Sequence, residues 1–308
     1  MITYIYIMNL NHLAVFHAVA LEGNISKGAE RLLISQPAVS KQIRDLERNL
    51  KTTLFDRLPR GVRLTKAGAL LAEHARRVFA ATADAQRALD ELKGLHRGRL
   101  AIGASTTIGV YLLPELFVRF RRLHPGVELR LDIANSIGVE SLLIDGVIDI
   151  GLSESPMTSA GLDATVFMED ELVAIAPVGH PLTRKRKTTA EMLCREPFVV
   201  RETGSQSKSM AERALVDLGL SVRPAMSLGS TEAIKRAVAA GVGVAIVSRL
   251  AIELESEAGR IAIVHVSNLR IRRPLYRVAM RGTHASTAVS AFDMLLNEKT
   301  RNTASRLR

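Results

Sequence analysis

Residues 35–50, SQPAVSKQIRDLERNL, place Gln36, Ser40, Lys41 and Arg44 on one face of a predicted helix. Val39, Ile43, Leu46 and Leu50 form the opposite, apolar stripe. A helix with an outer face rich in donors can reach base edges and phosphates in a DNA groove. A little further on, LFDRLPRGVRLTKAG gathers Arg57, Arg60, Arg63 and Lys66 around Gly61. Two short strands there would make a basic wing able to straddle a phosphate backbone. Residues 1–66 hold ten Lys or Arg against five Asp or Glu. Short helix pairs also occur in all-α domains that never meet DNA; the basic wing beside this pair favours the nucleic-acid reading.

Other chemistry finds little support. Cys194 is the only cysteine, which excludes an internal disulfide and suits a reducing cytosol. It sits in AEMLCREPF without a His or Asp spaced as a catalytic partner and reads as structural. The eight histidines are scattered, with no zinc spacing. With no nucleophile elbow and no phosphate-binding glycine loop, no catalytic residue, metal or cofactor is assigned, and the chain reads as a non-enzyme. The net charge of +11 favours a polyanionic partner without specifying a fold. MITYIYI is too short to span a bilayer and reads as an upstream extension before Met8. A cytoplasmic protein without a membrane partner is expected.

Three helices must position the reading face. The first runs from Leu10 to Leu21, with Leu13, Phe16, Val19 and Ala20 at helical spacing, and Gly23–Asn24 ends it. Ser26 is the expected N-cap of KGAERLLI. After a turn at Ile34–Ser35, Ser35 caps the third helix and Pro37 sits in its first turn. Thr65–Leu95 contains no proline and is rich in alanine, so a helix of roughly 43 Å is expected at about 1.5 Å per residue. Leu71, Ala75, Val78, Thr82, Ala85, Leu89 and Leu92 recur at intervals of four and three. That heptad seam favours a dimer-forming helix over one packed on its own domain.

Beyond GLHRGR, strand-like runs such as LAIGAS, VELRLDIA and IDIGLSES alternate with helical patterns. The order argues for an α/β domain with a mostly parallel sheet, and the number of strands for two lobes. Hydroxyl residues gather where strands give way to helices: Ser105, Thr106 and Thr107, then Asn135 and Ser136, Thr203 and Ser205, and Ser230 and Thr231. Each could simply cap its helix. Converging on one cleft, several would instead form a site for an anion or small polar metabolite.

AERLLISQPAVSKQIRDLE, LFDR and RLTKAG, in that order, resemble the winged helix-turn-helix of LysR-type transcriptional regulators. Gly28 stands where that family usually has alanine. The resemblance implies a DNA contact surface of Ser35, Gln36, Pro37, Ser40, Lys41, Arg44, Arg57, Arg60 and Arg63. Gln36 and Ser40 are assigned to base edges, and Lys41, Arg44 and Arg63 to phosphates. Residues 98–300 resemble the family's periplasmic-binding-protein-like effector domain, especially the branch of carbon-fixation and sulfur-assimilation regulators. The loop ETGSQSKSM departs from the Glu-x-Gly-Ser-Gly-Thr-Arg common in that branch, with Lys208 as a candidate replacement for the arginine.

The implied architecture is a winged helix-turn-helix at 8–66, a linker helix at 67–96 and a two-lobed α/β effector domain at 97–301. Lobe I would take about 97–167 and 272–301, and lobe II about 168–271, with crossings near Val166–Glu169 and Ile271–Pro274. The implied function is sequence-specific control of transcription by a small, anionic metabolite held by Ser105, Thr106, Thr107, Asn135, Ser136, Glu202, Thr203, Ser205 and Thr231. Implied partners are a dyad-symmetric promoter duplex, the effector and further copies of the chain as homodimer or homotetramer, and RNA polymerase is a partner such a regulator can meet. The rival reading is an α/β enzyme acting on a small metabolite, with an accessory DNA-binding head.

Overall fold

The computed structural model describes residues 9–91, 98–157, 159, 161–184, 187–283 and 285–306. The chain divides into two compact units that part between Leu89 and Asp90. The expectations for Met1–Ile7, Met8, Leu92 and the side chain of Leu89 lie outside the described residues.

The first unit is built from α1 (Leu10–Glu22), α2 (Ile25–Leu32), α3 (Gln36–Leu50), β1 (Phe55–Leu58), β2 (Gly61–Leu64) and α4 (Lys66–Glu91). The cap of α2 differs from expectation: Asn24, not Ser26, is its N-cap, and its Oδ1 accepts from the amides of Ser26 and Lys27 at 2.8 and 3.2 Å. Gly23, at φ +56°, turns the chain out of α1 so closely before α2 that Asn24 is the residue in the cap position. Ser35 caps α3 as expected, accepting from the Ala38 amide. Val39, Ile43 and Leu46 are buried against Leu13, Phe16, Val19 and Leu54, which turns the polar face of α3 outward. Glu47 anchors the wing to α3, accepting from the Leu54 amide at 2.8 Å.

Gly28 has a packing reason. A Cβ there would stand 2.7 Å from Val19 Cγ2 and 3.1 Å from Val19 Cα, so α2 lies on α1 at a separation that only glycine permits.

The seam expected on α4 is divided between two tasks. Ala75 is buried in the core of this unit and Leu71 packs against it, whereas Val78, Thr82 and Ala85 are exposed. Helical periodicity alone cannot separate a stripe facing its own core from one facing a partner.

The second unit runs through β3 (Gly98–Ala104), a π-helical turn at Ile108–Leu112, α5 (Leu113–Leu123), β4 (Val127–Ile133), α6 (Ser136–Ile144), β5 (Ile150–Ser153) and β6 (Leu162–Pro177). It continues with α7 (Pro181–Arg184), α8 (Ala190–Leu193), β7 (Phe198–Arg201), α9 (Gln206–Val216), β8 (Pro224–Leu228) and α10 (Thr231–Ala239). β9 (Ala245–Ser248), α11 (Glu253–Glu257), β10 (Ile261–Val264), β11 (Ile271–Met280) and α12 (Thr287–Arg306) complete it.

The expectation of a mostly parallel sheet is corrected. The main sheet has the order β10-β6-β11-β5-β3-β4, with β9 also on β6, and only β3 pairs in parallel, with β4 and β5. The long strands β6 and β11 run antiparallel along each other from Leu162↔Met280 to Leu172↔Ile271. Because both pass from one lobe to the other, the lobes share one sheet instead of having one each. β7 and β8 form a separate parallel pair. Lobe I packs Leu100, Ile102, Leu113, Phe120 and Phe292 into one core, and lobe II centres on Ile175, Ile234, Val238 and Val247.

Candidate DNA interface and effector cleft

On α3, Gln36, Ser40 and Arg44 follow at intervals of four, with Pro37 and Lys41 beside them. Gln36, Pro37, Lys41 and Arg44 are exposed and Ser40 is half-buried. These residues lie together on the outer surface of the N-terminal half of the helix, where Pro37 has no N–H and the Ala38 amide is already taken by Ser35 Oγ. The wing is a two-stranded ribbon with Arg57 opposite Val62 and Arg63 opposite Asp56. Alternation along each strand sends Arg57 and Arg63 to opposite faces. Arg63 donates to Asp56 at 3.3 Å, so part of its charge is already answered within the wing. Arg57 and Arg60 are exposed.

In the second unit the parallel strands β3, β4 and β5 are followed by Ser105, by Ala134 and Asn135, and by Glu154, at the edge where open α/β sheets hold ligands. The junction residues do not act alike. Asn135 Oδ1 caps α6, accepting from the Gly138 amide at 2.8 Å, and Ser205 caps α9. Ser136 Oγ accepts from Ser153 at 3.0 Å. Thr106, Thr203 and Gln206 are exposed. Ser105 is buried, and its Oγ has no hydrogen-bond partner among the described residues.

The charged centre is one the sequence analysis did not single out. Arg273 and Asp170 are cross-strand partners where β11 and β6 cross between the lobes. The Arg273 guanidinium is fully buried and lies 2.7 Å from Asp170 Oδ2 and 3.1 Å from Glu154 Oε2. It also donates to Ser207 Oγ at 3.0 Å and to Thr107 Oγ1 at 3.4 Å. One side chain thus joins the strand ends of lobe I to the first turn of α9 in lobe II. Burial pushes the Asp170 carboxyl up, against the pull of Arg273 and of the Ser248 hydroxyl 2.9 Å away.

Arg201, the last residue of β7, is the second cation. It holds Glu202 through two bonds of 2.7 and 2.8 Å and donates to Thr231 Oγ1 at 3.0 Å. This fork holds Glu202 below the usual carboxylate range, and Glu202 in turn raises Arg201 further above its ordinary value. Arg201 is 17% exposed and Glu202 43%, so the carboxylate is the freer partner. Lys208, the candidate substitute for the family's arginine, stands 3.8 Å from Glu212.

A third contact bridges the lobes. Tyr111, on the π-helical turn, donates to Glu232 at 2.9 Å, and Lys235 lies over its ring at 4.9 Å. Lys235 is buried between Glu232 at 2.6 Å and Glu255 at 2.7 Å. Burial and the Glu232 carboxylate both raise the Tyr111 phenol above its ordinary value.

A winged DNA-binding head followed by a two-lobed domain whose lobes meet at buried charged groups is the build of a regulator of DNA controlled by a small molecule. Comparison with known proteins agrees over most of the chain. The family described as "Bacterial regulatory helix-turn-helix protein, lysR family" matches residues 10–69, and "LysR substrate binding domain" matches residues 93–300. The chain belongs to the LysR family of transcriptional regulators. It is 37% identical over 295 residues to the RuBisCO operon transcriptional regulator of Allochromatium vinosum, covering 96% of this chain and 97% of that protein. The CcmR regulatory domain of Synechocystis PCC6803, solved in complex with 2-PG, superposes with a TM-score of 0.61 at 28% identity, covering 67% of this chain and 99% of that one. Full-length CbnR complexed with its target DNA shares the fold, with a TM-score of 0.64 at 20% identity, covering 94% of this chain and 99% of that one. As a member of this family, the chain binds DNA and a small-molecule effector and works as an oligomer. Among the described residues, no helix is long and apolar enough to cross a membrane.

Proposed function

We propose that the chain controls transcription in the cytoplasm, without catalysis, by coupling a small anionic metabolite at Arg201 to the DNA affinity of its heads. Arg201 carries the proposal. It is a mostly buried guanidinium at a strand end whose present partner, Glu202, is the more exposed of the two and exchangeable. An incoming phosphate or carboxylate can take the place of Glu202 in the planar fork. Thr231, already bonded to Arg201, and Ser105, with its unpartnered Oγ, would supply the neighbouring polar contacts. On DNA, Gln36 and Ser40 face base edges, while Lys41, Arg44, Arg57, Arg60 and Arg63 face phosphates. Two heads in a dimer or tetramer would meet the two halves of a dyad-symmetric site.

The 2-PG held by the related CcmR domain makes that compound the first probe. Calorimetric titration of the full chain should show binding, and Arg201→Gln should weaken it about ten- to hundredfold, the cost of a charge-assisted hydrogen bond. Unchanged affinity in Arg201→Gln would place the anion elsewhere.

A further inference from the structure

Glu154 is out of place in a site for a simple anion. It follows β5, next to Ser105 at the end of the neighbouring strand β3, and the Ser105 amide donates to the Leu152 carbonyl at 2.9 Å. The Glu154 side chain is only 10% exposed. Oε2 meets Arg273, while Oε1 is buried without a hydrogen-bond partner among the described residues. The cations nearby do not balance it. Arg201 is matched by Glu202 and Lys208 by Glu212, while Arg273 is shared between Asp170 and Glu154, which leaves these groups with one surplus negative charge.

We propose that Glu154 makes the cleft selective for a hydroxylated anion over a bare anion of the same charge and size, a reading that rests on the anion site at Arg201. A ligand with a hydroxyl beside its phosphate or carboxylate brings the donor that Oε1 lacks. A bare anion brings none and meets the surplus charge. The unpartnered Ser105 Oγ, one strand away, can bond a second hydroxyl. A buried acceptor left unpaired in the bound state disfavours a ligand by about ten- to hundredfold relative to one that satisfies it.

The test is calorimetric titration of the full-length protein with two matched pairs, glycerol 3-phosphate against n-propyl phosphate and malate against succinate. Wild type should bind the hydroxylated member of at least one pair tenfold or more tightly. Glu154→Gln keeps an oxygen for Arg273 and removes the charge, so it should tighten the bare anion and bring the ratio within about threefold. Ser105→Ala, which leaves Glu154 in place, should retain most of the preference. Equal binding within both pairs by wild type would overturn the selectivity while leaving the anion site standing. A preference that survives in Glu154→Gln would overturn the role of Glu154. No binding of any of the four by wild type would overturn both the anion site and the selectivity. The wild-type ratios decide the selectivity even if a variant does not fold.

Discussion

Substituting Arg273 by methionine removes the cation shared by two buried carboxylates, Asp170 and Glu154. The side chain gives up contacts of 2.7 Å to Asp170, 3.1 Å to Glu154, 3.0 Å to Ser207 and 3.4 Å to Thr107. Methionine fills much of the volume, so the cost is mainly electrostatic. Breaking a buried pair from one side leaves an uncompensated charge and costs about 3–5 kcal/mol. Asp170 is only 3% exposed, and burial already pushes its carboxyl up with Arg273 present, so without Arg273 it must rise further. The sign follows from linkage. A carboxyl whose folded value lies above its unfolded value of about 4 binds more protons when folded, so it destabilises the fold as pH rises through that interval. The deficit of Arg273→Met should therefore be largest near pH 7.5 and shrink towards pH 5. Urea unfolding of the effector-domain transition, followed by circular dichroism at both pH values, measures it. Adding Asp170→Asn to Arg273→Met should recover part of the loss. A deficit below about 1 kcal/mol at pH 7.5, or one equal at both pH values, would refute the reasoning.

Three further outcomes are expected. Gly28→Ala gains about 1 kcal/mol of helix propensity but drives a Cβ to 2.7 Å from Val19, so overpacking should win and the thermal midpoint of the head should fall; a rise would show that α1 and α2 separate easily. His17 is half-buried and stacked on Phe79 at 5.4 Å, and burial, with Arg31 and Arg76 nearby, lowers its value. Its contribution should thus be present above the unfolded value of about 6.5 and be lost as pH falls through it, a dependence that His17→Leu should flatten in thermal unfolding between pH 7.5 and 5.5. Gln36→Ala should relax sequence preference in DNA-binding assays while non-specific binding persists, whereas Arg60→Ala should weaken all sequences and reduce the salt slope by about one phosphate contact; equal weakening by Gln36→Ala would contradict the base-edge assignment.

The head was legible because its determinants are local. The stripe of Val39, Ile43 and Leu46, the cap at Ser35 and the basic turn around Gly61 each lie within a few residues of what they organise. The cap of α2 was misplaced because Asn24 and Ser26 are both good N-cap types, and only the left-handed Gly23 fixes which is used. The seam on α4 was read as one surface because periodicity does not reveal that Leu71 and Ala75 serve the head's own core. In the effector domain, the first half of β6 escaped notice because Asp163, Ala164, Thr165 and Val166 are all exposed, which breaks the alternation of a half-buried strand. The hydroxyl residues at the strand ends were found, but the arginines they surround were not. Arg201 ends an apolar run and Arg273 sits beside proline in a crossing strand, and in sequence both look like surface cations. Both depend on distant partners, Thr231 at 30 positions from Arg201 and Thr107 at 166 from Arg273, so their burial becomes visible only in the folded domain.

The central claim is that occupancy of the Arg201 cleft is coupled to DNA affinity. It is tested most directly by measuring the Kd of the full chain for its promoter duplex at fixed salt, with and without saturating 2-PG, in wild type and Arg201→Gln. Typical allosteric couplings correspond to about a 5- to 150-fold change in affinity. Wild type should show a change of that order, and Arg201→Gln should match wild type without the compound but respond little when it is added. An equal response in both proteins would contradict the account.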